Sequence, residues 1–295
     1  MKELKKHASI EKQVAIMKER GLTISDERSA QNTLFCVNYY RLSGYLHNFK
    51  KLGSDKYVEK LTWNRLKRIY DFDRKLTRVL MYALEDIEES LKTRISYIIT
   101  SHYPDDPMIY LRPNIYRNYD NYLCFVDHFY KAKDNNQNLP FVKHHNEDYG
   151  GNLPMWVAVE LLTMGNLHAI YDNLLSPYQK EIAKTYGTGF RQLASWIENL
   201  TYTRNHLAHY MRIYNFNFGR TPADCKKHPR TFASSNMIFD QIYVIAIMYS
   251  DATEWNNYVV PEMQALIEEY SGDIELSGLG FPDNWESVLL HSHNN

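Results

Sequence analysis

Arg204, Asn205 and His209 are the residues of this chain best suited to chemistry, because they sit within one short stretch, Arg204-Asn205-His206-Leu207-Ala208-His209. An arginine is a permanent cation whose planar fork grips phosphate. A histidine both takes and gives a proton near neutrality. Together they can cut an RNA backbone without a metal. The 2′-hydroxyl attacks the adjacent phosphate and the 5′-oxygen leaves. The histidine moves a proton, and the arginine offsets charge building on the phosphate oxygens. Asn205 can orient the histidine or donate to the phosphate. DNA lacks the nucleophile and would be spared.

The element that must position these groups is an amphipathic helix running from the Gly187/Gly189 break to about Tyr210. Leu193, Ile197, Leu200, Arg204, Leu207 and Met211 follow one another at spacings of four and three, which predicts a core-facing stripe. Arg204 interrupts it, so it lies either at the edge of a crevice or in an ion pair with a carboxylate of a neighbouring helix. Five residues turn a helix by about 140° beyond a full turn, so Arg204 and His209 do not share a face. They converge only if the long arginine reaches round, if the helix loosens at its end, or if a second copy contributes across a groove. Read as structure alone, His209 is a histidine near a helix C-terminus, where a cation is mildly favoured.

Helical periodicity dominates the whole chain. Helices are expected over Ser9 to Arg20 and from a Ser25 cap toward Tyr45. The longest follows a cap at Thr62 and is stopped by Pro104, with Leu66, Ile69, Phe72, Leu76, Leu80, Leu84, Ile87, Leu91 and Ile95 in register. Asp71 with Lys75 and Glu88 with Lys92 are favourable four-residue pairs on its polar side, and the acids Glu85, Asp86, Glu88 and Glu89 read as a solvated or interface face. Further helices are expected near Asn121 to Lys133, from Pro154 to an interruption at Gly165, from a Ser176-Pro177 start, over the very apolar Asn236 to Tyr249, and over Pro261 to Tyr270. Residues 134–151, which hold His144-His145, read as a loop. The polar stretch 215–235 carries Arg220, Lys226, Lys227 and Arg230, and with Arg212 these are the expected RNA-backbone contacts. Past Ser271 the glycines and a proline predict loose packing. The fold class is all-α: one helical domain over residues 1–270 (N-terminal helices 1–60, bundle 61–270) with a tail over 271–295.

Composition narrows the function classes. The 295 residues carry 34 Lys and Arg against 35 Asp and Glu, so any basic surface must be local. Three scattered cysteines do not form a disulfide framework and fit a reducing cytoplasm. The charged opening residues lead into no apolar secretory segment, and no apolar run is long enough for a bilayer. Cys225-x-x-His228 has no second half at zinc-site spacing. No cofactor and no metal are expected. The 24 tyrosines suit polar-edged helix packing, with base stacking open to a few exposed rings.

The segment Arg204 to His209 resembles the R-x4–6-H signature of HEPN-domain ribonucleases. More of the chain is similar to the abortive-infection family of the AbiD and AbiF type, which belongs to that superfamily. The matching blocks run in order: Asn38 to Tyr45, Tyr70 to Leu76, Ile87 to Ile95, Pro154 to Val157, Glu160 to Leu167 and Tyr202 to His209. The resemblance implies a HEPN-like helical bundle with N-terminal helical additions, RNA cleavage in defence against phage, and pairing of two copies so that two motifs line one cleft. It implies Arg204 and His209 as catalytic, Asn205 as supporting, and a structured small RNA as a further partner, since the same superfamily supplies the nuclease halves of type VI CRISPR effectors. Tyr39, Tyr40 and Arg41 carry over as family marks, equally suited to packing and to RNA. Toxins of this superfamily silenced by a nucleotidyltransferase resemble R-x4-H-x-Y; here Met211 stands two after His209 and Tyr210 one place early, which argues against that control. Two other classes stay open: a non-catalytic module that holds a structured RNA, and a protein-interaction module in which Arg204 is an internal ion pair.

Overall fold

A computed structural model describes residues 4, 6–58 and 60–290. The charged opening residues Met1 to Glu3 and Lys5, and the terminal His291 and His293, lie outside the described residues. Among the described residues there is no strand, only isolated backbone bridges such as Thr23 with Thr62. The expected all-α class is what the chain adopts.

Three short helices open it: α1 (Ile10–Glu19), α2 (Glu27–Cys36) and α3 (Tyr39–Leu46). The helix expected to run from Ser25 toward Tyr45 is thus two. Asp26, not Ser25, caps α2, and Asn38 caps α3 by accepting from Tyr40 N at 2.7 Å. A competing local cap restarts the chain in a new direction where apolar periodicity alone would run on.

The organising element is α4 (Trp63–Ser101), 39 residues without a break and so roughly 60 Å long. Thr62 caps it through Arg65 N at 3.1 Å. The expected apolar stripe is buried along its length. Each such side chain contributes about 1.5–3 kcal/mol of burial, and this supports a helix far longer than propensity would. Of the two expected intrahelical pairs, Glu88–Lys92 forms at 3.7 Å. Asp71 pairs with Lys67 instead at 2.5 Å, because Lys75 is drawn to Glu269 at 3.0 Å on a packed neighbour.

Helices α5 (Tyr119–Asn135), α6 (Pro140–Asp148), α7 (Met155–Ala158), α8 (Met164–Asn173) and α9 (Ser176–Lys184) follow. Helix α6 replaces the expected loop: Pro140 pre-sets its first turn, and His144 reaches Asp148 four residues on at 2.8 Å. Gly165 lies inside α8 and does not interrupt it; Thr163 and Asn166 form a capping box that starts the helix there. At α9 Leu175 occupies the cap position and Ser176 is already helical.

The motif helix, α10 (Phe190–Ala208), packs on α4, α8, α9 and α11 (Ile238–Met248). Helices α12 (Ala252–Glu254), α13 (Val260–Tyr270) and α14 (Trp285–Leu289) are the remaining α-helices among the described residues. The segment past Ser271 is not loose. Ile274, Leu279, Phe281, Trp285 and Leu289 are buried, Phe281 packs against Phe239, and Leu289 O accepts from Trp255 Nε1 at 2.8 Å. Its apolar residues anchor a stretch whose glycines suggested freedom.

Candidate functional site at the end of the motif helix

The end of α10 is built by a turn that its sequence does not favour. Met211 N donates to His206 O at 3.0 Å and Tyr210 N to Leu207 O at 2.9 Å. This is the two-bond helix stop usually completed by glycine. Here Tyr210 takes the left-handed conformation at φ 58°, a cost for a side chain with a Cβ. Two arginines hold it. The Arg41 guanidinium donates to Tyr210 O, and the Arg74 guanidinium lies over the Tyr210 ring at 4.5 Å. The turn swings Met211 out of the apolar stripe to the surface, while Leu193, Ile197, Leu200 and Leu207 stay buried.

The chain leaving the turn is clamped from beneath. Asp73 of α4, 1 % exposed, accepts from Tyr214 N at 2.8 Å, Ile213 N at 3.2 Å and the Tyr45 hydroxyl at 2.5 Å. Burial pushes the Asp73 carboxyl up to about 6, against the pull of these donors and of Arg212. Arg212 Nη1 donates to Gly44 O at 2.5 Å. His206 Nε2 donates to Arg212 O at 2.8 Å, and its ring packs on Phe216 at 4.4 Å and Phe218 at 5.1 Å. Burial holds the His206 imidazole below its ordinary pKa, as does the charge of Arg212. The segments Asn38–Tyr45 and Tyr70–Leu76 therefore meet at this helix end.

The three motif residues do not share one cleft. His209 caps α10 and is exposed, as is Asn205 one turn earlier. Arg204 lies on the α4 side, in a cleft of about 270 Å³ lined with Glu85, Glu88, Glu89, Lys92 and Glu160. Its Nε is 3.6 Å from Glu88 Oε2, with the arginine side chain 35 % and the glutamate 14 % exposed. Lys92, one turn on in α4, reaches the other carboxylate oxygen of Glu88 at 3.7 Å. Arg204 is thus both a crevice-edge residue and an ion-pair partner, the two arrangements its place in the stripe allowed. The acidic run is correspondingly divided: Glu85 and Glu89 face solvent, Glu88 faces Arg204, and Asp86 accepts from the Tyr249 hydroxyl at 2.5 Å.

The expected RNA contacts differ from one another. Lys226 and Lys227 are exposed. Arg220 lies 4.5 Å over the Tyr202 ring and 3.4 Å from Glu198. Arg212 is half-buried in the clamp just described. Arg230 is 8 % exposed and turned inward, bound to the fully buried Asp240 and to Asp224 at 3.1 Å. It is an internal counter-charge and not a surface contact, because an acid carried into the core on α11 needs a cation. Cys225 is buried and its sulfur accepts from the Thr188 hydroxyl at 3.3 Å. No group of His, Cys, Asp and Glu among the described residues is arranged to hold a metal ion, and none of the described helices is long and apolar enough to cross a membrane.

Asp73, Arg74 and His206 were missed as site residues from sequence. The available signal for Asp73 was an acid at a stripe position of α4. For His206 it was an aromatic cluster, Phe216 and Phe218, close behind it in the chain.

Comparison with known proteins places the chain in a family. Residues 32–215, which include the α3 clamp, α4 and the whole motif helix, match the family described as Abi-like protein. The match covers more than half of the chain, and the chain belongs to that family of abortive-infection proteins. No curated protein and no solved structure matches it.

Proposed function

We propose that this chain is a metal-independent, HEPN-type endoribonuclease that acts on RNA in the bacterial cytoplasm as part of abortive-infection defence. The observation that carries the reading is the exposed end of α10. There His209 and Asn205 face solvent, one turn from an arginine with part of its side chain exposed, inside the segment that marks the family. In the reaction the 2′-oxygen bonds to phosphorus as the bond to the 5′-oxygen breaks. His209 takes the proton from the nucleophile or delivers one to the leaving oxygen, Asn205 orients it, and Arg204 offsets the phosphate charge. Acid–base help of this kind is worth about 10²–10⁴-fold. One histidine supplies one proton transfer. A second copy, set so that its His209 and Arg204 face the first pair, supplies the other and brings each arginine toward a phosphate from outside its own cleft. A homodimer is therefore part of the proposal, and a structured small RNA is its proposed regulator.

Expression in bacteria tests it. Arg204→Ala and His209→Ala should each abolish toxicity and phage protection while the protein stays folded and abundant. Full protection by folded His209→Ala would remove the site assignment. The Arg204–Glu88 pair supports a second reading, a protein-interaction module in which Arg204 only joins α10 to α4. That reading predicts that Arg204→Met combined with Glu88→Met, which replaces the ion pair by apolar packing, leaves protection intact.

A further inference from the structure

A second groove lies on the other side of the motif-helix end, between α3 and the turn at Tyr210. It has a volume of about 390 Å³, and its lining includes Tyr40, Arg41, Gly44, His206, Arg212 and Phe216. Its chemistry is the reverse of the Arg204 cleft. That cleft carries four carboxylates. This groove is lined by two arginines and by histidine and aromatic rings, with no carboxylate. Asp73, behind it, is sealed. The guanidiniums of Arg41 and Arg212 are held by backbone carbonyls, Tyr210 O and Gly44 O. Their positions are fixed and no acid lines the groove beside them; the Arg41 bond is exposed to solvent, while Arg212 is half-buried and also faces the Asp73 carboxyl behind the groove. Beside them Tyr40 is 85 % exposed, a large aromatic side chain in water at the mouth of a cationic groove. At Gly44 an added Cβ would meet nothing within 4 Å, so the groove floor is open there.

We propose that this groove seats one nucleotide of single-stranded RNA, with its phosphate on Arg41 and Arg212 and its base stacked on Tyr40. Stacking on an exposed aromatic ring together with a fixed cation is how single strands are held without sequence readout. The nucleotide lies on the opposite side of the turn from Arg204, so the bound strand runs across the end of α10, past His209. The inference rests on RNA as the substrate but not on its cleavage.

The test separates the two. Binding of a short fluorescent single-stranded RNA is measured in the His209→Ala background, where no cutting is expected. Tyr40→Ala removes an exposed ring and no packing. Gly44→Leu projects a side chain into the groove from a helical position where leucine is the better helix former. Each should weaken binding about five- to a hundredfold, with the thermal midpoint unchanged or raised. An acidic peptide of equal charge should fail to displace the RNA. Unchanged binding in folded Tyr40→Ala, absence of RNA binding by the parent, or equal displacement by the peptide would each overturn the proposal. If Gly44→Leu misfolds, Tyr40→Ala alone decides. RNA bound through Tyr40 but left uncut by the parent would keep the groove and remove the nuclease reading.

Discussion

Replacing Asp73 is the sharpest test of how the motif helix is held. Asp73→Ala strands two amide N–H groups, those of Ile213 and Tyr214, and the Tyr45 hydroxyl, all of which it accepts from in the core. An unsatisfied buried donor costs about 1–3 kcal/mol, so the three together cost roughly 3–9 kcal/mol, less what is regained by not burying a charge. That is a large share of the ~5–15 kcal/mol that holds a domain. Asp73→Asn should cost much less at neutral pH, because its amide oxygen accepts from the two N–H groups and its NH₂ faces the Tyr45 oxygen. The two variants also differ in pH dependence. The carboxyl titrates at about 6 in the fold instead of its ordinary 3.8, so between these values the folded chain keeps a proton that the unfolded chain has released. Stability from this group is therefore present below about pH 4, is lost as pH rises toward 6, and is flat above. The span corresponds to something on the order of 3 kcal/mol, and the asparagine variant lacks it. Urea unfolding of parent and Asp73→Asn, from about pH 7.5 down to about pH 4, should show the difference moving in the parent's favour by that order. Parallel curves across the window, or an alanine variant within about 0.5 kcal/mol of the parent, would refute the clamp.

Other outcomes follow from the same geometry. Glu88→Gln releases Arg204 from its ion pair and should strengthen RNA binding and cleavage several-fold; weaker activity would mean that Glu88 positions the arginine. His206 titrates below its ordinary 6.5 because it is buried, so its contribution is whole above 6.5 and is lost as pH falls below it. Relative to His206→Asn the parent should lose stability on acidification, the opposite sign to Asp73, and a flat difference in paired unfolding curves would contradict this. Arg230→Met takes the cation from the buried Asp240, leaving it only the Ser234 hydroxyl and the Ser235 N–H as donors, and should cost about 3–5 kcal/mol in urea unfolding. The double change Lys226→Ala with Lys227→Ala should leave the thermal midpoint unmoved and weaken RNA binding in a salt-dependent way.

Much of the architecture was readable from spacing alone. The 39-residue α4 shows its apolar register from Leu66 onward and its cap at Thr62, and Gly189 and the apolar stripe mark α10. What spacing could not show is where side chains find partners across the fold. The αL turn at Tyr210 carries no glycine to announce it, and it moves Met211 from the predicted core to the surface. Arg204 reads alike as crevice edge and ion pair because both need a stripe position; only the packing of α10 on α4 sets Glu88 beside it. Arg230 looked like a surface cation because its partner, Asp240, lies on a helix whose other residues are almost wholly apolar. The glycines past Ser271 predict freedom, while Phe281 and Trp285 decide the packing there. The blocks around Tyr45 and Asp73 stood out as family marks, and their meeting beneath Ile213 and Tyr214 gives them a physical reason.

Incubation of the purified parent with RNA in EDTA, beside folded His209→Ala, tests the central claim most directly. The account predicts cleavage by the parent that survives chelation, leaves 2′,3′-cyclic phosphate ends, and disappears in the variant. Equal cutting by His209→Ala, or cutting by the parent that stops when the metal is removed, would contradict it.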